Sequence, residues 1–370
     1  MKKNRFLINK IKKYFKDQYL TMKKKKYNEA NNIGSIVRTF LASLMIISFF
    51  SISPIIIEFT KKASLNSVEF KNNSKNDLKK LLAKKEIEPD NGLDHKFLFE
   101  DVIMFDEKPT DSVRLSAATI EELFKSTNYS LEDVRKTKLV KPISLTLLPN
   151  EIIKIENAKK RKNLFIQIIL PLVIKENNNI KWDRKKLFSI LNKSKNTKIE
   201  KIWLNSKFKQ YGVANKDLST LKIRMDQVPV SMAIAQAAKE TGWGTSRFAQ
   251  EGNALFGQWT WSGEGIKPSN ADIDSTHKVM KFKVLQASVR AYQRNLNTHS
   301  SYEDFRIARA ELRDEGKKLD SMILTEYLDK YAETGKEYVI VLQQIIKQNN
   351  LSDFDDAKLL PSSINLESLI

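Results

Sequence analysis

The sequence predicts a mainly helical α+β fold with one small β element, preceded by a single transmembrane helix. Three observations carry that expectation. A charge-free apolar run follows a basic N-terminus, helical apolar periodicity begins at Ala117, and one segment, Lys278 to Val284, alternates like a strand. With 370 residues, 41% hydrophobic and 29% charged, the chain has the composition of a globular protein with appended segments.

Residues 1–38 hold twelve Lys or Arg against Asp17 and Glu29, so half of the formal charge of +20 belongs to a short tail. Thr39 to Ile57, "TFLASLMIISFFSISPIII", then runs nineteen residues without a charge, about the length that crosses a bilayer as a helix. A buried core helix of this length would show a polar face, and here only Thr39 and four Ser residues interrupt. The basic block in front keeps the N-terminus cytoplasmic and exports the chain beyond the run. A cleaved signal peptide is the competing reading, but its basic region is usually far shorter and no A-x-A cleavage pattern precedes Glu58.

Residues 58–116 read as a Lys- and Asn-rich spacer, with a short helix around Leu78 to Lys85 and no legible period from Asp101 to Val113. Residues 117–210 read as a helical subdomain. It opens with "ATIEELF" and a capping-box spacing at Ser130 and Asp133. Leu164 to Ile174, "LFIQIILPLVI", is too short for a second span and contains Pro171, so a buried helix is expected, followed by a separate amphipathic one at Trp182 to Leu191.

Residues 211–350 are the best patterned part. Asp226 is placed to cap a helix with Pro229 in its first turn. Val230, Ile234, Ala237 and Ala238 give its buried face, and Ala233, Gln236 and Glu240 a flank expected to form an open floor. Gly242 and Gly244 allow a sharp exit around Trp243, and Ser246 to Glu251 is a short helix closed by Gly252. The strand at Lys278 to Val284 is expected to pair with Gln258 to Trp261. Val289, Tyr292 and Leu296 mark another helix, and capping boxes at Ser301–Asp304 and Thr334–Glu337 open two more, the last carrying Tyr338, Val341, Leu342, Ile345 and Ile346 inward. Residues 351–370 read as a C-terminal tail.

Glu240 stands out because a carboxylate at a helix C-terminus meets the negative end of the dipole, and desolvation there raises its pKa further. Most Glu residues are solvated surface, but Trp243 and Phe256 supply an apolar wall that suits a carboxylic acid kept protonated for general-acid work on a glycosidic oxygen. Aromatic side chains beside a polar cleft also suit the apolar faces of sugar rings.

"VPVSMAIAQAAKETGWGTSRFAQEGNALFGQW" resembles the core motif of the bacterial Bax-like glucosaminidases of glycoside hydrolase family 73, in which Glu precedes Ser-Gly-Trp-Gly and an Asn-x-Leu-Phe-Gly loop comes after it. "SVRAYQRNLNTHSSYEDFR" and "YAETGKEY" resemble the same family, over roughly Pro142 to Asn350. The resemblance implies a lysozyme-like α+β fold, cleavage of the β-1,4 bond after N-acetylglucosamine in peptidoglycan, and Glu240 as the general acid. The candidate substrate-binding residues are Gln236, Trp243, Asn253 and Phe256, together with Gln258, Trp259, Tyr292 and Tyr338. Two positions depart from the pattern. Thr241 replaces the usual Ser, and Lys278 stands where relatives often carry a second Glu. Glu264, Asp272 and Asp274 are then candidate bases, each otherwise an ordinary loop residue. The alternative is assistance by the substrate's own N-acetyl group, with Tyr331 or Tyr338 positioning it.

Other classes are weaker. The chain has no Cys, and His95, His277 and His299 lack ligand spacing, so neither a metal nor another cofactor is expected. Nucleic acid is not an expected partner, because no recognition motif accompanies the charge. The expected partners are glycan strands and, through the anchor, the cytoplasmic membrane. A degenerate, membrane-tethered glycan-binding protein is the alternative function.

Overall fold

The computed structural model describes residues 98–106, 113–260, 265–267 and 278–361, all within the unit Lys80–Ile370. The apolar run at 39–57 and the helix expected at 78–85 lie outside the described residues. Among the described residues, no helix is long and apolar enough to cross a membrane.

Helix α1 (Glu100–Asp106) occupies a stretch with no legible period. Its formation is tertiary. Leu98, Phe99 and Val102 are buried in a small cluster with Ala287 and Ala291, and Asp101 holds Arg294 with contacts of 2.6 and 2.9 Å. Helices α2 (Ala117–Ser126) and α3 (Leu131–Thr137) come next, the latter capped by Ser130, whose Oγ accepts the Asp133 N–H at 3.1 Å as the spacing predicts. Strand β1 (Leu139–Val140) lies just beyond.

The two helices expected on either side of residue 175 are one helix, α4 (Ala158–Leu191), of 34 residues. Pro171 lies inside it. Proline removes the N–H that would bond to the carbonyl four residues back, here that of Gln167. The Tyr129 hydroxyl donates to that carbonyl at 3.0 Å, and the Gln167 amide donates back to the Tyr129 carbonyl at 2.8 Å. The helix therefore continues because a neighbouring segment satisfies the group that proline orphans. Tyr129→Phe should strand this carbonyl and lower stability by about 1–3 kcal/mol, read as a lower thermal midpoint. An unchanged midpoint would dismiss the account.

Helices α5 (Lys198–Gln210) and α6 (Leu218–Arg224) pack on the second half of α4 through Ile180, Leu187, Phe208 and Leu221. Helix α7 (Val230–Thr241) is then sheathed on every side, with each residue from Val230 to Ala238 buried. Asp226 does not cap it. The N-cap is Pro229, which makes no side-chain bond, and the N-terminus is served from far along the chain by Asp355, which accepts the Ser231 N–H and Oγ–H at 2.8 Å each. Burial lifts the Asp355 carboxyl to about 6, partly offset by those Ser231 bonds. Asp226 is instead buried among Arg184, Arg309 and Arg313.

Short helix α8 (Arg247–Gly252) leads to β2 (Trp259–Thr260), β3 (Gly265–Ile266) and β4 (Lys278–Met280), with β4 in the centre of an antiparallel sheet. The expected pairing of β4 with the segment after Gln258 is present, Trp259 opposite Val279. The strand is shorter than its alternation suggests. It stops at Met280, and beyond it the Phe282 N–H turns to the Gly252 carbonyl at 2.8 Å.

Helices α9 (Leu285–Thr298), α10 (Glu303–Asp314), α11 (Ser321–Thr325) and α12 (Lys336–Gln348) complete the helical set. The capping boxes expected for α10 and α12 are absent, their N-caps being Tyr302 and Gly335 without side-chain bonds. A single-turn 3-10 segment, Ser300–Tyr302, precedes α10 and takes the position that Ser301 was expected to cap. Strand β5 (Lys358–Leu359) pairs in parallel with β1, a second β element that two-residue strands cannot announce in sequence. One core joins residues 117–174 to 228–357, including Leu351 and Phe354, so it crosses the boundaries drawn at 211 and 351.

Candidate active site

Glu240 lies in the last turn of α7, whose end is set by three successive residues with positive φ: Gly242 (58°), Trp243 (63°) and Gly244 (86°). The turn folds back so that the Trp243 N–H donates to the Ala238 carbonyl at 3.0 Å. The loop Asn253 to Gln258 then returns alongside. Its first residue is left-handed (φ 48°), and its Nδ2 donates to the carbonyls of Phe282 and Lys283 at 2.9 and 3.2 Å. The Leu255 N–H donates to the Ser288 hydroxyl at 3.0 Å. These bonds fix the loop at the end of the β sheet and on α9.

A chain of hydrogen bonds then reaches the carboxyl. The Tyr292 hydroxyl donates to Gln236 Oε1 at 2.6 Å, Gln236 Nε2 donates to the Tyr338 oxygen at 3.1 Å, and the Tyr338 hydroxyl donates to Glu240 Oε1 at 2.9 Å. Because Gln236 occupies the Tyr338 oxygen as a donor, the tyrosine proton is committed to Glu240. A proton carried by Glu240 is thereby placed on Oε2. Gly257 faces that atom: with φ 62°, it would put an added methyl 3.1 Å from Oε2. Glycine here leaves Oε2 unobstructed and tolerates the left-handed backbone.

The surroundings are aromatic. Phe256 stacks on Tyr292 with centroids 3.9 Å apart, and Tyr331 stacks on Tyr338 at 5.5 Å. The Tyr331 hydroxyl donates to the Phe256 carbonyl at 2.8 Å, and Tyr302 packs on Tyr331 at 5.9 Å. Burial is the main influence on Glu240 and holds its carboxyl above the ordinary value, with the Tyr338 hydrogen bond and Lys239 offsetting it in part. Burial likewise raises Tyr302 to about 12, and pushes Tyr338 and Tyr331 higher still, so all three stay neutral donors at physiological pH.

Several side chains stand elsewhere than the sequence suggested. Gln236 is fully buried, so the flank read as an open floor is closed by the two tyrosines that bind its amide. Trp243 makes its ring contacts with Phe165 of α4, edge-on at 5.9 Å, and with the Lys162 ammonium at 4.9 Å. Asn253 spends its amide donors on the Phe282 and Lys283 carbonyls, and Gln258 is buried beside Gly257. Trp259 forms the start of β2. Glu264, Asp272 and Asp274 lie outside the described residues. Lys278 opens β4 opposite Thr260. Among the described residues, no group of three or more His, Asp or Glu could hold a metal ion. Tyr302 and Gly257 were missed in the sequence, although the glycine in "LFGQW" was the available signal.

A family model described as mannosyl-glycoprotein endo-beta-N-acetylglucosaminidase matches residues 217–351, a span that contains Glu240, Gly257 and every tyrosine of the cluster. The chain is also 31% identical over 191 residues to Protein bax of Escherichia coli (strain K12), covering 50% of this chain and 68% of that protein. The chain belongs to the Bax-like glucosaminidase family. No solved structure matches. In this Bax-like chain, α4 lies before residue 217 and so outside the family model, yet it packs on the same core through Phe165, Leu170 and Val173.

Proposed function

We propose that this Bax-like protein is a peptidoglycan hydrolase that cleaves the β-1,4 bond after N-acetylglucosamine, with Glu240 as its general acid. The observation that supports it best is the Glu240 carboxyl itself: desolvated, held through Oε1 by Tyr338, and open at Oε2 beside Gly257. A carboxylic acid so placed gives its proton to the leaving sugar oxygen. The packed rings of Tyr302, Tyr331 and Tyr338 contribute to the burial that keeps the carboxyl protonated. The second group in this reading is Glu264, Asp272 or Asp274, or the substrate's own acetamido group with Tyr331 positioning it.

Purified protein incubated with peptidoglycan should release fragments whose new reducing ends are N-acetylglucosamine. Reducing N-acetylmuramic acid would instead make it a muramidase and overturn the assignment. For the second group, the amide variant of the true base should lose most turnover while the other two change little. Near-full activity in all three would favour substrate assistance.

The basic tail and residues 39–57 support a single-pass anchor in the bacterial inner membrane, with the N-terminus cytoplasmic and the catalytic domain periplasmic or otherwise extracytoplasmic. Reporter fusions after Lys62 that are active only in the cytoplasm would contradict this topology. A second reading, a glycan-binding protein without turnover, is favoured by Lys278 at the start of β4. Absence of any fragment release would select it.

A further inference from the structure

The second half of α4 and all of α5 carry a surface that the proposed chemistry does not use. Between Lys175 and Lys209 the sequence has eleven Lys or Arg and only three acids. Each acid is already engaged within the protein: Glu176 with Arg290, Asp183 with Lys207, and Glu200 with Lys193. The outward face is therefore almost purely cationic, including Lys181, Lys185, Lys198, Lys201 and Lys209, all exposed.

Large apolar side chains lie among these lysines. Trp182 is 70% exposed, Ile199 76% and Ile202 60%. They belong to one continuous surface. Trp182 and Lys186 are one turn apart on α4, Ile199 and Trp203 one turn apart on α5, and the Lys186 ammonium sits 4.7 Å from the Trp203 ring at the seam between the helices. Lys185 similarly covers the Trp182 ring at 5.2 Å. An exposed apolar patch of this kind on a folded protein marks a contact surface.

We infer that this outward face of α4 and α5 docks on the surface of an anionic lipid bilayer. Tryptophan and isoleucine flanked by lysines match a water–hydrocarbon boundary, where the rings and aliphatic groups enter the acyl region while the lysine stems reach back to the headgroup phosphates. A soluble anionic polymer would use the lysines but gives no reason to expose Ile199 and Ile202. A protein partner of opposite charge would gain from the same lysines, but the uncharged run at 39–57 supplies a bilayer as the surface nearest at hand. The inference rests on the anchor proposed for residues 39–57 but is independent of the hydrolase reading, because it uses no residue of the Glu240 cluster.

The chain contains no cysteine, so one introduced thiol is a unique label site. Ser206→Cys lies one turn beyond Ile202 on the same exposed stripe of α5, and Gln344→Cys on the exposed side of α12 serves as the reference. The full chain, labelled at either site with an environment-sensitive fluorophore, is reconstituted in phosphatidylglycerol or phosphatidylcholine vesicles carrying nitroxide lipids. The label at 206 should shift to shorter wavelength and be quenched in phosphatidylglycerol, but not in phosphatidylcholine, while the label at 344 stays in water in both. Combining Lys185→Glu, Lys198→Glu and Lys201→Glu should lower the docking equilibrium constant by about 100-fold or more, with peptidoglycan fragment release in detergent unchanged. Identical behaviour at 206 and 344, equal quenching in the two lipids, or protection of 206 by added glycan strands instead of lipid would each overturn the inference.

Discussion

Glu240→Gln is expected to slow hydrolysis by about 10²–10⁴-fold while leaving the fold intact. The amide keeps the shape and can still accept from Tyr338 through its oxygen, so the chain from Tyr292 through Gln236 remains closed. What it lacks is a proton of suitable acidity at the atom facing Gly257. General-acid catalysis contributes about 10²–10⁴-fold, and peptidoglycan fragment release should fall on that scale. Stability should move slightly the other way. A carboxyl whose folded pKa lies above its unfolded value adds stability that is fully present at low pH and lost as pH rises through the folded value, so ionised Glu240 is a small liability at neutral pH that Gln removes. The same raised pKa gives activity an alkaline limb, since turnover needs the protonated form. Fragment release and thermal midpoint measured for both proteins across pH separate the outcomes. Equal hydrolysis would end the acid assignment, and a collapsed midpoint would make Glu240 a structural residue.

The parts of this site that were legible in the sequence were those set by local chain chemistry. Gly242 and Gly244 announced the sharp turn after α7, Ser246 to Glu251 the short helix α8, though Asn253 and not Gly252 closes it, and the stripes through Val289 and Tyr338 the helices α9 and α12, because periodicity and turn chemistry act within a few residues. The illegible parts depend on partners far along the chain. Nothing near Ser231 signals that Asp355 will cap its helix, and nothing near Pro171 signals that Tyr129 will repair it. Gln236 looked like the polar side of an amphipathic helix, yet it is buried because two tyrosines on other inward stripes need partners for their hydroxyls. A tyrosine at an inward position is thus a usable clue. Its hydroxyl will seek a polar group, and polar residues on neighbouring helices are the candidates.

Asp226 is spaced to cap α7 but is buried among arginines instead, which makes Asp226→Asn the change expected to cost the most stability. The carboxylate is buried, accepts from Arg313 at 3.1 and 3.2 Å, and lies 3.8 Å from Arg184. Its main-chain carbonyl accepts from Asn297 at 3.0 Å and from Arg309 at 3.2 Å. Burial opposes ionisation here, but Arg184, Arg309 and Arg313 together outweigh it and hold the carboxyl below its ordinary value. Arg309 is fully buried on α10, and burial lowers its pKa to about 10, against the pull of Asp226, so it still carries a charge at neutral pH. An amide at residue 226 leaves that charge without a counter-ion and turns a donor toward either the Arg313 guanidinium or the Gln227 N–H, which Oδ1 now accepts at 2.8 Å. Breaking one side of a buried ion pair typically costs 3–5 kcal/mol, so the thermal midpoint should fall by about 6–20 °C. Asp226 precedes α7 by only a few residues, so the loss should also loosen the seat of the helix that carries Glu240. The pH signature comes from the depressed pKa. The stabilisation is present above the ordinary value of 3.8 and is lost as pH falls through the folded value, so the gap between parent and variant should close only below about pH 4. Lys318→Gln, which breaks the exposed pair with Asp356, is the control and should leave the midpoint within experimental scatter. A variant at residue 226 that melts with the parent at pH 7 would mean that the three arginines find their compensation elsewhere.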